Sequence, residues 1–444
     1  MLRFFLQLLP TRALLKLPAL QRLTFYERLF TPLVTLWYLL FQWLNHDHGL
    51  QAVLTDARAG GADRLNPKLS RRMVSTSTGP FSDARARLPV DFLAQALRLQ
   101  GTQIIQQSPI SLWKGFVVAL LDGTTVRLRP HGDIPKEFPP SGNQHQKKTY
   151  WCLIRAVASF CCFTGAALDC ALGSLHLSEQ ALASEILLRA VGQVLFVGDR
   201  NFGIFRIVQT ARHAHKEVLL RLTDRRAAKL LGRALCSGDS SLTWKPTRHD
   251  QLQPACSKDP IEGRLIVQLL ERPGFRAQWL CLFTTLTDPV QYPPQDLVQL
   301  YGQRWHIELN LRYVKAQMGA AQLEVHCAAM ARKQWLACLL AYNLIRAAML
   351  CAALRQGTSP LCLSFSACRR RLESWLRDFG RTIIDVLASW KRMLAEMASC
   401  RLPKRKRPRP NEPRAKRYVR ESFPPLVGSR ARAREKIKNH KTKS

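Results

Sequence analysis

The chain has 444 residues, 47% of them hydrophobic, and carries 67 Lys and Arg against 31 Asp and Glu, a formal charge of +36. Its length provides for roughly two to four structural units with a large core, which excludes a mainly disordered chain. The charge excludes an acidic, self-contained protein and points to a polyanionic partner, with nucleic acid ahead of an anionic membrane surface.

Thirteen cysteines lie scattered without a CxxC pair. Several sit in apolar runs such as "SFCCFTG" and "WLACLLAY". That argues against a zinc site or a disulfide framework and for reduced core cysteines in a cytoplasmic protein. The opening "MLRFFLQLLPTRALLKLPAL" lacks a small-residue cleavage site and is interrupted by Arg12, Lys16 and Arg22. The apolar run over residues 29–44 is shorter than the roughly 20 residues of a spanning helix and is broken by Pro32 and Gln42, so it reads as a buried helix rather than a membrane segment.

Residues 1–105 read as helical. Within them "RRMVSTSTGPFSDARARLPVDFLAQAL" has a capping Ser/Thr cluster, a Gly-Pro break and then a helix with Arg85 and Arg87 near its start. Either a helix-turn-helix entering a DNA groove or a solvated helical hairpin fits that pattern. From about residue 115 the pattern turns to strands. "FVVALLDGTTVRLRP" reads as an apolar strand ending at Asp122, a turn at Gly123 and a second strand. "KKTYWCLIRAVASFCCFTGAALDCALG" adds two strands with a hairpin at Thr164-Gly165. "LSEQALASEILLRAV" is a helix, and "QVLFVGDRNFGIF" a buried strand ending at Asp199. The stretch from about 212 to 287 reads as a β insertion, and "AAMARKQWLACLLAYNLIRAAML" as an apolar helix packed across the sheet. Residues 401–444 hold seventeen Lys and Arg against three Glu, which reads as a flexible arm gripping phosphate or as a solubilising tail.

The segment "YGQRWHIELNLRYVK" places Tyr301, Arg304, Glu308 and Lys315 at intervals of three, four and seven residues. On one α-helix these four fall within a sector of roughly 60°. Ile307 and Val314 on one side, and Trp305 and Leu309 on the other, are then expected to pack. Taken singly, a strand-end Asp reads as a turn or capping residue, and Glu308 as half of a surface pair with Arg304 or Arg312. Taken together, Asp122, Asp199 and Glu308 are hard oxygen donors able to converge on two divalent cations, Mg2+ or Mn2+. Such a pair supports phosphodiester displacement. Asp133, Asp169, Glu185 and Asp288 read as structural or surface groups.

The same segment fits the Tyr-x2-Arg-x3-Glu-x6-Lys signature of bacterial insertion-sequence transposases of the DDE class, and resembles the family typified by insertion sequence four. "LLDGTTVRLRP" and "LFVGDRNFG" resemble that family's two Asp motifs, and "LLAYNLIR" its following helix. "FTPLVTLWYLLFQWL", "STSTGPFSDARARLP" and "EPRAKRYVRESFPPLVGSRARAREK" resemble its terminal regions. Arg312 and Tyr313 depart from the pattern, and residues 316–328 match it loosely.

The resemblance implies an α/β fold: an RNase H-like catalytic domain with a β-strand insertion, preceded by a helical N-terminal domain and followed by a helical and basic C-terminal region. On this sequence the divisions fall at 1–105 for the DNA-binding domain and 106–355 for the catalytic domain with its insertion at about 212–287. The helical C-terminal region then covers 356–400 and the basic tail 401–444. It further implies that Asp122, Asp199 and Glu308 form the catalytic, metal-binding triad, and that Tyr301, Arg304 and Lys315 hold DNA at the element's end. The family's activity is a strand nick by water, a hairpin formed by the freed 3′-hydroxyl, and joining to target DNA. A base flipped from that hairpin needs an aromatic platform. Trp279 is the candidate and Trp244 a weaker one, with a sheet-core Trp as the alternative reading. The implied partners are terminal inverted repeats and target DNA, with a homodimer in the DNA complex and no membrane. The implied location is the bacterial cytoplasm, associated with the nucleoid. A non-catalytic DNA-binding regulator and a non-mobile nuclease of the same fold remain the competing functions.

Overall fold

The structure, a computed structural model, describes residues 2–22, 29–45, 49–142, 148–252, 256–271, 278–378 and 385–403, together with 428, 429, 431, 432, 434 and 435. The basic tail expected over 401–444 lies almost wholly outside the described residues.

Helices occupy the chain up to Gln106. Thr31 begins the Pro32–Leu44 helix by accepting a 3.4 Å hydrogen bond from the Val34 N–H. Pro32 takes the first turn, where a missing N–H costs nothing, so it starts the helix instead of breaking it. The same logic corrects the Gly-Pro reading: Gly79–Arg87 is one helix with Pro80 in its first turn, and Arg85 and Arg87 fall in its last. Arg85 lies half-buried over the Phe81 ring, 5.4 Å from its centroid. Buried Lys333 donates to the carbonyls of Arg85 and Ala86 at 2.9 and 2.8 Å, tying this helix end to the Ala328–Leu354 helix. Arg85 thus takes part in packing this helix end.

The strands are β1 (Leu112–Trp113), β2 (Phe116–Leu128), β3 (Pro140–Gly142), β4 (Lys148–Cys161), β5 (Ala167–Ser174), β6 (Val194–Gly198), β7 (Glu217–Arg221), β8 (Gly238–Trp244), β9 (Ile261–Leu270), β10 (Gln278–Thr284) and β11 (Gln322–Leu323). They form a single sheet. Its centre runs β5-β4-β2-β6-β7, antiparallel from β5 to β2 and parallel from β2 to β7. That is the mixed-sheet order of an RNase H-like domain. Strands β10, β9 and β8 continue the same sheet antiparallel beyond β7. The inserted strands therefore begin after β7, which belongs to the core even though its residues fall inside the 212–287 stretch assigned to the insertion.

Residues alternate between two cores along each strand. Leu120, Leu195, Val197 and Leu219 face the core shared with the Ala328–Leu354 helix and the N-terminal helices. Ala119, Leu121, Phe196, Val218 and Leu220 face the helices Glu179–Arg189 and Phe205–His213. The Ala328–Leu354 helix has the length and apolarity of a membrane span, yet it is almost wholly buried inside the fold. Its Asn343 side chain both accepts from Ala167 N–H (2.7 Å) and donates to Ala167 C=O (2.8 Å), gripping the start of β5.

Arg264 on β9 is 1% exposed. It pairs with Asp239 and donates to the carbonyls of Leu286 (3.1 Å), Asp288 (3.2 Å) and Tyr292 (3.0 Å), so it fixes the inserted strands to the loop that leads into residue 294 onward. Arg264→Ala leaves the buried Leu286 and Tyr292 carbonyls without their donor and removes the partner of the solvent-reachable Asp239, and is expected to cost about 2–3 kcal/mol. Urea unfolding of the two proteins measures it; a loss under about 1 kcal/mol contradicts the assignment.

Candidate active site

Parallel pairing of β2 with β6 matches Val117 to Val194, Val118 to Leu195, Ala119 to Phe196 and Leu120 to Val197. Continued two residues, that register sets Asp122 beside Asp199. β6 and β7 match Gly198 to Leu220, so one step further Asp199 stands beside Arg221. Alternation puts all three on the face of Leu120, Val197 and Leu219. Two carboxylates and a guanidinium thus line one level of three adjacent strands. Asp122 is not at a strand end: β2 runs unbroken through Gly123 while still paired with β4. Gly123 leaves room for the Glu179 carboxylate: a Cβ there would stand 2.4 Å from its carboxyl carbon, and that side chain would have to shift.

The Asp199 Oδ1 accepts from the Asn201 N–H at 2.9 Å. Asn201 in turn donates to Glu179 (2.5 Å) and accepts from Gln180 (2.7 Å). The short "DRNFG" turn is thereby locked, and with it the direction of Asp199. Asp122 Oδ1 accepts from the Gly123 N–H at 2.8 Å. Burial pushes the Asp122 carboxyl up to about 6; the like charges of Asp199 and Glu308 add to that, while the Gly123 N–H and the Arg304 guanidinium oppose it.

Above this level lies the signature segment, which is three pieces and not one helix. Pro294–Gly302 ends just after Tyr301, Trp305–Arg312 follows, and Tyr313–Gln317 is a π-helical turn. Between the first two pieces the backbone closes by i→i−3 bonds, Arg304 N–H to Tyr301 C=O at 2.9 Å and Ile307 N–H to Arg304 C=O at 3.0 Å. The four polar residues nonetheless gather. Arg304 Nη2 meets Glu308 Oε1 at 2.6 Å and is hydrogen-bonded to Tyr301. Burial raises the pKa of the Tyr301 hydroxyl, against the pull of Arg304 and Arg221. The π turn brings Lys315 Nζ to 3.1 Å from Thr124 Oγ1, two residues past Asp122 on the same face of β2. Burial, with Arg127 nearby, lowers the Lys315 pKa.

Ile307, Asn310, Leu311 and Val314 form the buried side of this segment. The expectation that Trp305 packs is corrected: its side chain is 46% exposed, because the sheet lies against the other side. Beneath, Arg346 is buried and sits 5.3 Å from the ring centroids of Tyr313, Tyr342 and Phe365. It donates to Asn310 Oδ1 at 2.6 Å and to the Tyr342 hydroxyl at 2.6 Å, and Tyr342 donates to Gly165 C=O at 2.8 Å. Gly165 has φ +71° and leaves room for the guanidinium, 3.0 Å from where its Cβ would be. The "LLAYNLIR" stretch thus fastens the Glu308 helix and the β4–β5 turn to one another.

Trp279 is half-buried near the start of β10 and shares the strand face of Cys281 and Phe283, opposite to the core under Tyr301. Trp244 is 4% exposed and packs between Phe205 and Phe283, so it is a core side chain and not a platform. The four acids read as structural are so used: Asp133 caps the Ala328 N–H, Asp169 pairs with Arg98 and Arg189, Glu185 pairs with Arg189, and Asp288 accepts from Val290 and Gln291. Sequence reasoning missed Arg221 and Thr124. "EVLLRL" carries the same signal as the Asp motifs, an apolar run ending in a charge; Thr124 is visible only through the strand face and the π turn.

Asp122, Asp199 and Glu308 influence one another electrostatically, but among the described residues no three His, Cys, Asp or Glu side chains stand close enough to hold one metal ion. The donors are nevertheless those a hard divalent cation takes, all carboxylate oxygens. Their mutual repulsion is what such a cation relieves.

The sequence profile of the transposase DDE domain matches residues 113–344, just over half of the chain, and the chain belongs to that family. It is 25% identical over 311 residues to the transposase InsG for insertion sequence element IS4 of Escherichia coli (strain K12), an alignment covering 68% of each protein. Among solved structures, the cryo-EM structure of the piggyBac transposase synaptic complex with hairpin DNA aligns over 89% of this chain and 85% of its own, at 11% identity and a TM-score of 0.39, too remote to bear on function.

The raised Asp122 pKa gives a stability prediction. The folded carboxyl holds its proton more tightly than the unfolded one, so this residue's destabilisation is absent below about pH 4 and complete above about pH 7. In chelator, Asp122→Asn is expected to be more stable than the parent at pH 8 by roughly 3 kcal/mol and to keep little of that gain at pH 4. Denaturant melts at the two pH values test this, and equal stabilities at pH 8 contradict it.

Proposed function

We propose that this chain cuts and rejoins DNA phosphodiester bonds at the ends of an insertion sequence, with Asp122, Asp199 and Glu308 as the catalytic carboxylates. The observation that carries the reading is the register that sets Asp122 beside Asp199 under the Glu308 helix. Two Mg2+ or Mn2+ ions held by these three residues would activate the attacking oxygen and stabilise the departing one. Glu308 is engaged by Arg304 as the chain stands; a phosphate arriving at Arg304 would release that carboxylate for its ligand role.

The protein's own part is positioning. Arg304 offers a planar fork to phosphate oxygens, with the Tyr301 hydroxyl and Arg221 beside it. Lys315, steered by Thr124, supplies a further cation on the Asp122 side. Fixed cations around the reacting phosphate stabilise the charge that builds there without reorganising. Cut-and-paste chemistry through hairpin ends adds the need to hold an extruded base; Trp279 lies on the sheet face away from Tyr301 and Asp122, so it serves as that platform only for a strand that passes round the sheet. Terminal inverted repeats and target DNA are the partners, and a homodimer is the acting form in the DNA complex. The setting is the bacterial cytoplasm.

One observation favours a second reading, a DNA-binding regulator without catalysis: the Arg304–Glu308 ion pair leaves the three carboxylates short of a closed ligand set. Purified protein, Mg2+ and DNA carrying the inverted repeats that flank the gene separate the two. Parent protein is expected to release the element, while Asp122→Asn, Asp199→Asn and Glu308→Gln bind the ends and fall at least about a thousandfold in cleavage. Cleavage by all three variants at the parent rate would falsify the triad. End binding by a parent protein that never cuts would establish the regulator.

A further inference from the structure

On the face of the sheet opposite Asp122 lies a cleft with a volume of about 910 Å³. It opens between the first turn of the Phe205–His213 helix, one side of the Asp224–Leu231 helix, the end of β8 and the Arg248–Gln251 turn. Its walls carry Arg206, Arg225, Arg226, Lys229, Lys245 and His249. The one carboxylate on them, Asp250, is already taken, accepting from the Thr247 N–H (2.8 Å) and hydroxyl (2.6 Å). Arg226 is committed to the Gly203 carbonyl. Among the described residues, none of Arg206, Arg225, Lys229 and Lys245 pairs with a carboxylate.

A basic helix face facing water is the ordinary explanation for such residues. Two features go against it here. The cations come from three separate segments and face one concavity, where their repulsion is least screened. The cleft is also joined to the catalytic edge: Gln180 on its wall donates to Asn201 Oδ1 (2.7 Å) and C=O (3.0 Å), and the Asn201 N–H holds Asp199. A DNA strand whose scissile phosphate rests at Asp122 and Asp199 has two arms. Tyr301, Arg304 and Lys315 lie on one side of the sheet and the cleft on the other, so the two can serve different arms.

We propose that this cleft grips the sugar-phosphate backbone of the arm that is not the element's end. The proposal rests on the reading of the chain as a transposase. The cleft offers no stacking platform for a base, because Phe205 and Trp244 on its floor are buried. That arm has the same chemistry in two settings, flanking DNA before excision and target DNA at joining.

Arg225, Lys229 and Lys245 are exposed and hold no part of the fold, so the triple variant Arg225→Ala, Lys229→Ala, Lys245→Ala is the probe. Binding of full-length protein to a duplex of unrelated sequence is measured by anisotropy from roughly 50 to 300 mM salt. The slope of log affinity against log salt is expected to become shallower by about 2 to 3, near 0.9 per lost phosphate contact. Binding to a short end without flanks is expected to stay unchanged. Two reactions then separate the sources: loss of about tenfold or more in cutting ends with long flanks, with joining of pre-cut ends kept, assigns flanking DNA, and the reverse assigns target DNA. An unchanged salt slope overturns the proposal, as does unchanged activity in both reactions. Lys229→Glu and Lys245→Glu, expected to weaken unrelated-duplex binding more than the alanine changes, guard against a folding artefact, with melting curves alongside. A parent protein that binds with the expected slope but neither cuts nor joins would fault the transposase reading and leave the cleft assignment standing on its binding data.

Discussion

Everything at the site depends on one hydrogen-bond register, that of β2 on β6. Both strands are covered on both faces, so neither can slip by one residue without turning its apolar side chains out of their cores. The same pairing that satisfies Leu120 and Val197 leaves Asp122 and Asp199 side by side at the first level where the β6 strand has ended. Two carboxylates held that close repel, and burial makes Asp122 reluctant to ionise. The fold tolerates this cost because the surrounding sheet is large and its core extensive.

The signature segment is suspended over that level by contacts that are themselves chemically demanding. Arg346 has aromatic faces and neutral oxygens for company, with no carboxylate pairing among the described residues, an arrangement that holds a cation through ring quadrupoles and oriented dipoles. Its bond to Asn310 reaches the middle of the Glu308 helix from below, while Asn343 grips the β4–β5 turn. Arg264 does the comparable task on the approach side, through the 286–292 loop. The segment's breaks at Gly302 and at the π turn are what let Tyr301, Arg304 and Lys315 face the strands together. A π turn at a functional position is a common way of re-aiming one side chain.

Much of this was legible in the sequence because the strands are apolar on both faces and end in charges. "LFVGD" and the "TG" hairpin declare themselves, and four polar residues at fixed spacing stand out in an apolar segment. What escaped has physical causes. Gly123 looks like a turn, but it is a strand residue paired with Val157, with the Glu179 carboxylate over it. Gly79-Pro80 looks like a break, but proline at a helix start is neutral, which moved Arg85 from the start of a helix to its end. By sequence β7 falls within the insertion because nothing local distinguishes a core strand from an added one; only its parallel pairing does. Trp305 reads as a packing residue because helical periodicity gives two flanks and cannot say which one the sheet covers.

Iron(II) substituted for magnesium cuts the polypeptide close to wherever it binds, by locally generated radicals. Applied to the protein bound to its element's ends, this account predicts backbone scission in the segments around residues 122, 199 and 308 together, abolished by Asp199→Asn. Scission confined to other segments, or at only one of these three, would contradict a shared cation site and with it the reading of the chain as a DNA-cutting enzyme.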